Sequence, residues 1–150
     1  MKDKKTYTEN RSGKEVFLEL PFKVENGYTK AGKKKFMHFA PSLNRIISLS
    51  RKKFVWDHYK ADAEEQLAWE IKKQTREKFD KPVAVTFQRH AVRLLDWDNS
   101  AASFKLIGDS LVKAGVLEDD DPTHIAKYYP EQYKVSSYKD EKIIVKIWEI

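Results

Sequence analysis

Two aspartates, Asp96 and Asp98, stand two positions apart in the stretch DWDNSAASFK, which ends on Lys105. Asp109 lies four residues further on, and the acidic run Glu118-Asp119-Asp120-Asp121 follows. Two carboxylates held ~4 Å apart repel by roughly 1–4 kcal/mol, depending on the local dielectric. Gathering three costs more, and a hard divalent cation reverses the sign. Magnesium suits such a set, because it takes oxygen ligands, needs only a few carboxylates and keeps waters. In a basic chain this combination points to phosphodiester chemistry, with the metal activating water and a lysine offsetting charge on the phosphate.

That chemistry needs elements that bring the acids together. PVAVTFQRHAVRLLD (82–96) is rich in β-branched and aromatic residues at its start and reads as a central strand ending at Asp96. Asn99 to Ala114 reads as a helix, with Phe104, Ile107, Leu111 and Ala114 as its apolar stripe and Gly115 as the C-cap glycine. Asp98 sits where this helix begins. Lys105 lies about 700° further round, nearly two turns at about 100° per residue. Asp98, Lys105 and Asp109 then share a face opposite the apolar stripe. The cluster closes if the 118–121 loop returns to the strand end.

The remaining elements frame that unit. VFLELPFKV (16–24) reads as a strand, and Pro21 marks it as an edge or a bulge. Asn26-Gly27 signals a hairpin turn, KFMHFA (35–40) the returning strand, and APSLN (40–44) a break. Ser50 to about Lys78 reads as a helix with Ser50 as N-cap, a stripe of Val55, Tyr59, Ala63, Leu67 and Ile71, and Pro82 as the stop. IAKYYPEQYKV and EKIIVKIWEI read as two strands joined by SSYKD. The expected fold is a single α+β (mixed α/β) domain over residues 1–150, a mixed sheet with two helices packed on it, in the order β-β-α-β-α-β-β.

Composition narrows the function classes. The chain has 150 residues, 13% aromatic, enough for one folded domain with a real core. It has no cysteine, which excludes disulfides, a thiolate nucleophile and zinc–thiolate sites. No apolar run approaches the ~20 residues that span a bilayer. Residues 1–14, MKDKKTYTENRSGK, lack the apolar core of a signal peptide and are expected to be flexible. A cytoplasmic protein is expected. The net charge of +6 is uneven, with 15 Lys and Arg against 6 Asp and Glu in residues 1–60, and 14 against 17 in residues 61–150. A basic half beside an acidic patch suits a protein that grips a polyanion and holds a cation.

Other patterns fall away. Gly27 to Lys34 resembles a phosphate-binding loop but ends on Lys34, without the magnesium-binding hydroxyl, and leads into a strand. Asp96-x-Asp98-x-Ser100 begins like a calcium loop, yet Ala101 and Ile107 stand where glycine and glutamate are needed. The four histidines show no zinc spacing. Each acid has an ordinary explanation on its own: Asp98 as an N-cap, Lys105 and Asp109 as an exposed ion pair, 118–121 as a solvated turn.

The combination resembles a known family. Asp96-x-Asp98-Asn99, Lys105, Asp109-x-Leu111, Ala114-Gly115 and Asp119-Asp120 resemble the RusA family of Holliday junction resolvases, as does Pro41-Ser42-Leu43-Asn44 followed by a basic helix. The resemblance runs from about Phe36 to the end. It implies a magnesium-dependent homodimeric nuclease of the kind often encoded by phages, cutting four-way DNA junctions in recombination and repair. It assigns Asp96, Asp98 and Asp120 as metal ligands and Lys105 as the catalytic lysine, with Asp119 as neighbour and Asp121 as an extra residue. Some members place the lysine four residues after the second aspartate, where this chain has seven. Some carry arginine just before the first aspartate, where this chain has Leu95 and, nearby, Arg93. Lys33, Lys34, Lys35, Arg51, Lys52, Lys53 and Arg93 are the candidates for DNA phosphate contacts. The alternatives are a non-enzymatic nucleic-acid-binding module and a structural protein of a phage particle.

Overall fold

The sequence alternation in β1 (Glu15–Pro21) turns Val16, Leu18 and Leu20 inward and leaves Glu15, Phe17 and Glu19 outside. β1 is an edge strand that ends at Pro21, where a missing N–H costs no ladder bond. A computed structural model describes residues 13–150. The expectation for residues 1–14 therefore lies outside the described residues except at its end. There Lys14 is already tied down, its N–H donating to Glu149 Oε1 at 3.1 Å and its ammonium to the Lys78 carbonyl.

The molecule is an α+β fold: a four-stranded mixed sheet, a separate two-stranded sheet and helices. In the larger sheet the order is β1-β6-β4-β5, with β4 (Val83–Ala91), β5 (Ile125–Lys134) and β6 (Lys142–Glu149). β4 is parallel to β5 and antiparallel to β6, and β6 is antiparallel to β1. β4 is interior, and its residues from Val83 to Arg89 are all buried, as a central strand requires. β2 (Lys23–Tyr28) and β3 (Lys34–His38) form the small antiparallel sheet.

The predicted first strand is thus two strands in two sheets, broken at Phe22, whose carbonyl takes the Phe39 N–H at 3.0 Å. The Asn26-Gly27 signal also resolves differently. Gly27, at φ 83, lies in a register shift between Glu25 and Tyr28, and the reversal itself comes at Thr29–Lys33 with Gly32 at φ 80.

A helix that the sequence did not signal, α1 (Leu43–Ser50), begins inside the expected break at 40–44 and is capped by Ser42, whose Oγ accepts the Arg45 N–H at 3.2 Å. Ser50 is no N-cap; its hydroxyl donates back to the Ile46 carbonyl at 2.7 Å. α2 (Lys53–Gln74) starts after a bend at Arg51–Lys52 and ends well before Lys78. Ala63, Leu67 and Ile71 are fully buried, and Tyr59 packs against the same core. Each such Leu or Ile contributes about 1.5–3 kcal/mol by leaving water. The Gln74 side chain clamps the β1 edge, accepting the Glu19 N–H at 2.9 Å and donating to its carbonyl at 2.7 Å.

The second predicted helix divides into α3 (Trp97–Ala102) and α4 (Lys105–Lys113). At the division the Ser103 N–H donates to the Ser100 carbonyl, three residues back, and the Ser103 hydroxyl donates to the same carbonyl at 2.5 Å. α4 ends as expected: Gly115 at φ 81 donates to Val112, and Val116 donates to Leu111, a Schellman pair. Among the described residues no helix is long and apolar enough to cross a membrane.

Candidate functional site

β4 ends at Ala91, so Asp96 stands five residues beyond the strand rather than on its last position. Two side chains carry the backbone across that gap. Glu141 Oε2 accepts the Val92 N–H at 3.0 Å. Gln132, on β5, accepts the Leu95 N–H and donates to the Leu95 carbonyl, both at 2.8 Å. The residue directly before Asp96 is therefore pinned as if paired in a sheet.

Asp96 is the N-cap of α3 by backbone, with its carbonyl accepting the Ser100 N–H at 2.8 Å. Its carboxylate makes no capping bond. Asp98 follows in the first turn, exposed, where negative charge suits the helix start. Asn99 Oδ1 accepts the Asn44 N–H at 3.1 Å, one of the donors α1 leaves unpaired in its first turn. Pro41–Asn44 and Asp96–Asn99, far apart in the chain, thus meet through Asn44 and Asn99, and α1 packs on α3.

The division of the helix separates Asp98 from Lys105. The expectation that Asp98, Lys105 and Asp109 share one helix face holds only for the last two. Lys105 opens α4 and its ammonium lies 3.2 Å from Asp109 Oδ2. The same oxygen lies 3.6 Å from Lys60 of α2, which also approaches Glu64 Oε2 at 3.8 Å. Asp109 Oδ2 and Glu64 Oε2 are buried and receive no aligned hydrogen bond, so these contacts are electrostatic. Burial pushes the Glu64 carboxyl above its usual range, against the pull of Lys60.

Asp120 belongs to this group. Its Oδ2 would lie 3.0 Å from a Cβ on Gly108, so a side chain there would push the carboxyl back by a few tenths of an ångström. Its pKa is raised by burial, then by the neighbouring charge of Asp109 and by Asp119. Asp119 Oδ1 also accepts the Asp120 N–H at 2.7 Å. Asp121 is a turn cap: its Oδ1 accepts from the N–H and hydroxyl of Thr123, from the His124 N–H, and pairs with His124 Nδ1 at 2.7 Å.

Among the described residues no three His, Asp or Glu side chains stand ready to enclose a metal ion. Asp96 and Asp98 lie exposed at the α3 start, while Asp120 sits against α4. The donor chemistry still suits magnesium, which is commonly held by one or two carboxylates, retained waters and substrate phosphate.

The basic candidates are exposed. Lys33, Lys34 and Lys35 lie on the β2–β3 hairpin, with Lys34 paired to Glu25 at 3.2 Å. Arg51, Lys52 and Lys53 surround the α1–α2 bend. Arg93 is exposed, and its carbonyl accepts from Arg89 at 3.1 Å. Sequence reasoning missed Gln132, Lys60 and Glu64, because their roles are contacts with distant segments that leave no local spacing. No protein-family model matches the chain, and no curated protein matches it.

Proposed function

We propose that the chain is a magnesium-dependent endodeoxyribonuclease of the RusA type that resolves four-way DNA junctions. One observation carries most of the support: Asn99 holds the Asn44 backbone at 3.1 Å, joining the two segments whose residue patterns resemble that family. Asp96 and Asp98, with Asp120, would hold Mg²⁺, directly or through water. When bound, the metal supplies an activated water and offsets charge on the scissile phosphate. Gln132 and Asn99 orient the corner that carries Asp96 and Asp98. Lys105, held by Asp109, offers its ammonium to a phosphate oxygen. Hydrolysis leaves 5′-phosphate and 3′-hydroxyl ends. Paired cuts across a junction call for two sites related by a two-fold axis, hence a homodimer.

A non-enzymatic nucleic-acid-binding module is the second reading, favoured by Asp96 and Asp98 lying exposed at the α3 start while Asp120 rests against Gly108 of α4. One assay decides between them: a synthetic four-way junction, with linear duplex as control, with and without Mg²⁺. The nuclease cuts the junction only with metal, and Asp98→Asn binds it without cutting. Binding without cutting by the unmodified chain favours the module, and full cleavage by Asp98→Asn removes the metal-ligand assignment.

A further inference from the structure

Arg89 is a buried cation with no ion pair among the described residues. It is 7% exposed on β4. Its Nε donates to the Ala40 carbonyl at 3.4 Å and its Nη1 to the Arg93 carbonyl at 3.1 Å, while the Phe22 ring lies 4.9 Å from the guanidinium carbon. These contacts orient the guanidinium without neutralising it, and neither of them uses Nη2. Glu141 is the acid whose field it feels, but that carboxylate also accepts the Val92 N–H. A buried charge left unpaired is costly, and an incoming anion removes that cost.

A cavity of about 330 Å³ opens beside it, lined also by Arg45, His38 and Ser42 and by no Asp or Glu. Arg45 is exposed on the first turn of α1 and has no ion pair among the described residues. The α1 start adds the positive end of the helix dipole, although Ser42 and Asn99 already accept its Arg45 and Asn44 N–H groups. The Tyr59 hydroxyl pins His38, accepting its N–H and donating to its carbonyl, both at 2.7 Å. Burial holds the His38 imidazole below its usual range; Lys23, Arg45 and Arg89 add to this and Glu141 opposes it. Everything charged that lines the cavity is positive, and arginine in this setting matches the geometry of a phosphate.

We propose that this cavity binds a phosphate group, and that the phosphate is one in a nucleic-acid backbone. The anion site rests on the cavity alone, whereas its nucleic-acid source rests on the proposed nuclease. Leu95 also lines the cavity, so the bound phosphate would be anchored one residue from Asp96 and would set the strand against the aspartate corner.

The test uses the full chain. His38 imidazole resonances, identified by their loss in His38→Gln, are followed by NMR through titrations with inorganic phosphate and with a four-way junction. Sodium chloride at matched ionic strength is the control. Phosphate is expected to move the His38 resonances and raise its pKa, and the junction to displace phosphate. Arg45→Ala, an exposed position, is expected to weaken phosphate binding about tenfold through loss of one charge-assisted contact. His38 resonances that phosphate moves no more than chloride does overturn the anion site. A phosphate response that the junction neither reproduces nor displaces overturns the nucleic-acid source. Cleavage is scored separately: a chain that never cuts but answers to phosphate loses the nuclease reading and keeps this site, and a chain that cuts with a silent His38 does the reverse.

Discussion

At the residue scale, the three aspartates of the 118–121 run do different work. Asp120 is held against Gly108 with its charge disfavoured, Asp119 bonds the next backbone N–H, and Asp121 is consumed by the turn into β5. Hydrogen bonds from Thr123 and His124 hold the Asp121 carboxyl at about 2, below its ordinary 3.8, and that bond raises the His124 imidazole above 6.5. The depressed acid stabilises the fold above its ordinary pKa and loses that contribution as pH falls through about 2. The raised base stabilises below 6.5 and loses its contribution as pH rises through its folded value. The stability difference between the unmodified chain and Asp121→Asn is therefore expected to be largest between 3.8 and 6.5 and to shrink on both sides. Urea midpoints measured from below pH 3.8 to above pH 6.5 check this, and a difference that stays constant outside that window would sink it.

At the element scale, the aspartate corner depends on a strand it does not belong to. Gln132 supplies both hydrogen bonds that a neighbouring strand would give Leu95. Gln132→Ala removes two partly buried bonds, for an expected loss of about 1–3 kcal/mol at roughly 0.5–1.5 per bond. On the proposed function it also slows junction cleavage more than it weakens junction binding, because the corner loses its fixed direction. Gln132→Glu keeps the acceptor for the Leu95 N–H but sets its second oxygen against the Leu95 carbonyl, so it is expected to lose most of the same contribution. Equal cleavage by Gln132→Ala and the unmodified chain would free the corner from this clamp. The stripes from Ala63 to Ile71 and from Phe104 to Leu111 were legible because helical period alone places them. The bends at Arg51–Lys52 and Ser103–Phe104 were not, since no proline or glycine marks either.

At the scale of the whole molecule, the basic candidates among the described residues are spread over the hairpin, the α1–α2 bend and the Arg45–Arg89 cavity. Lysines on an exposed hairpin would position nucleic acid without reading its sequence. Lys34 already faces Glu25, so Lys33 and Lys35 carry most of the free charge. Changing Lys33, Lys34 and Lys35 together to Ala is expected to make the log–log salt dependence of junction binding shallower by about 2, at ~0.9 per phosphate contact. Binding isotherms over a range of salt concentrations measure this, and an unchanged slope clears the hairpin of any role.

Read alone, the chain determines its α+β class, the central position of β4, the apolar faces of both long helical segments and the glycine that ends α4. Those follow from local period, β-branching and the left-handed backbone that Gly115 adopts at φ 81. The tertiary structure decided which distant residues meet. It set Asn99 on Asn44, Gln132 on Leu95, Asp120 on Gly108 and Arg89 beside Arg45. Contacts of that kind depend on how the strands are ordered and where the helices bend, and a backbone group is satisfied by whichever side chain folding brings to it, at no fixed distance along the chain.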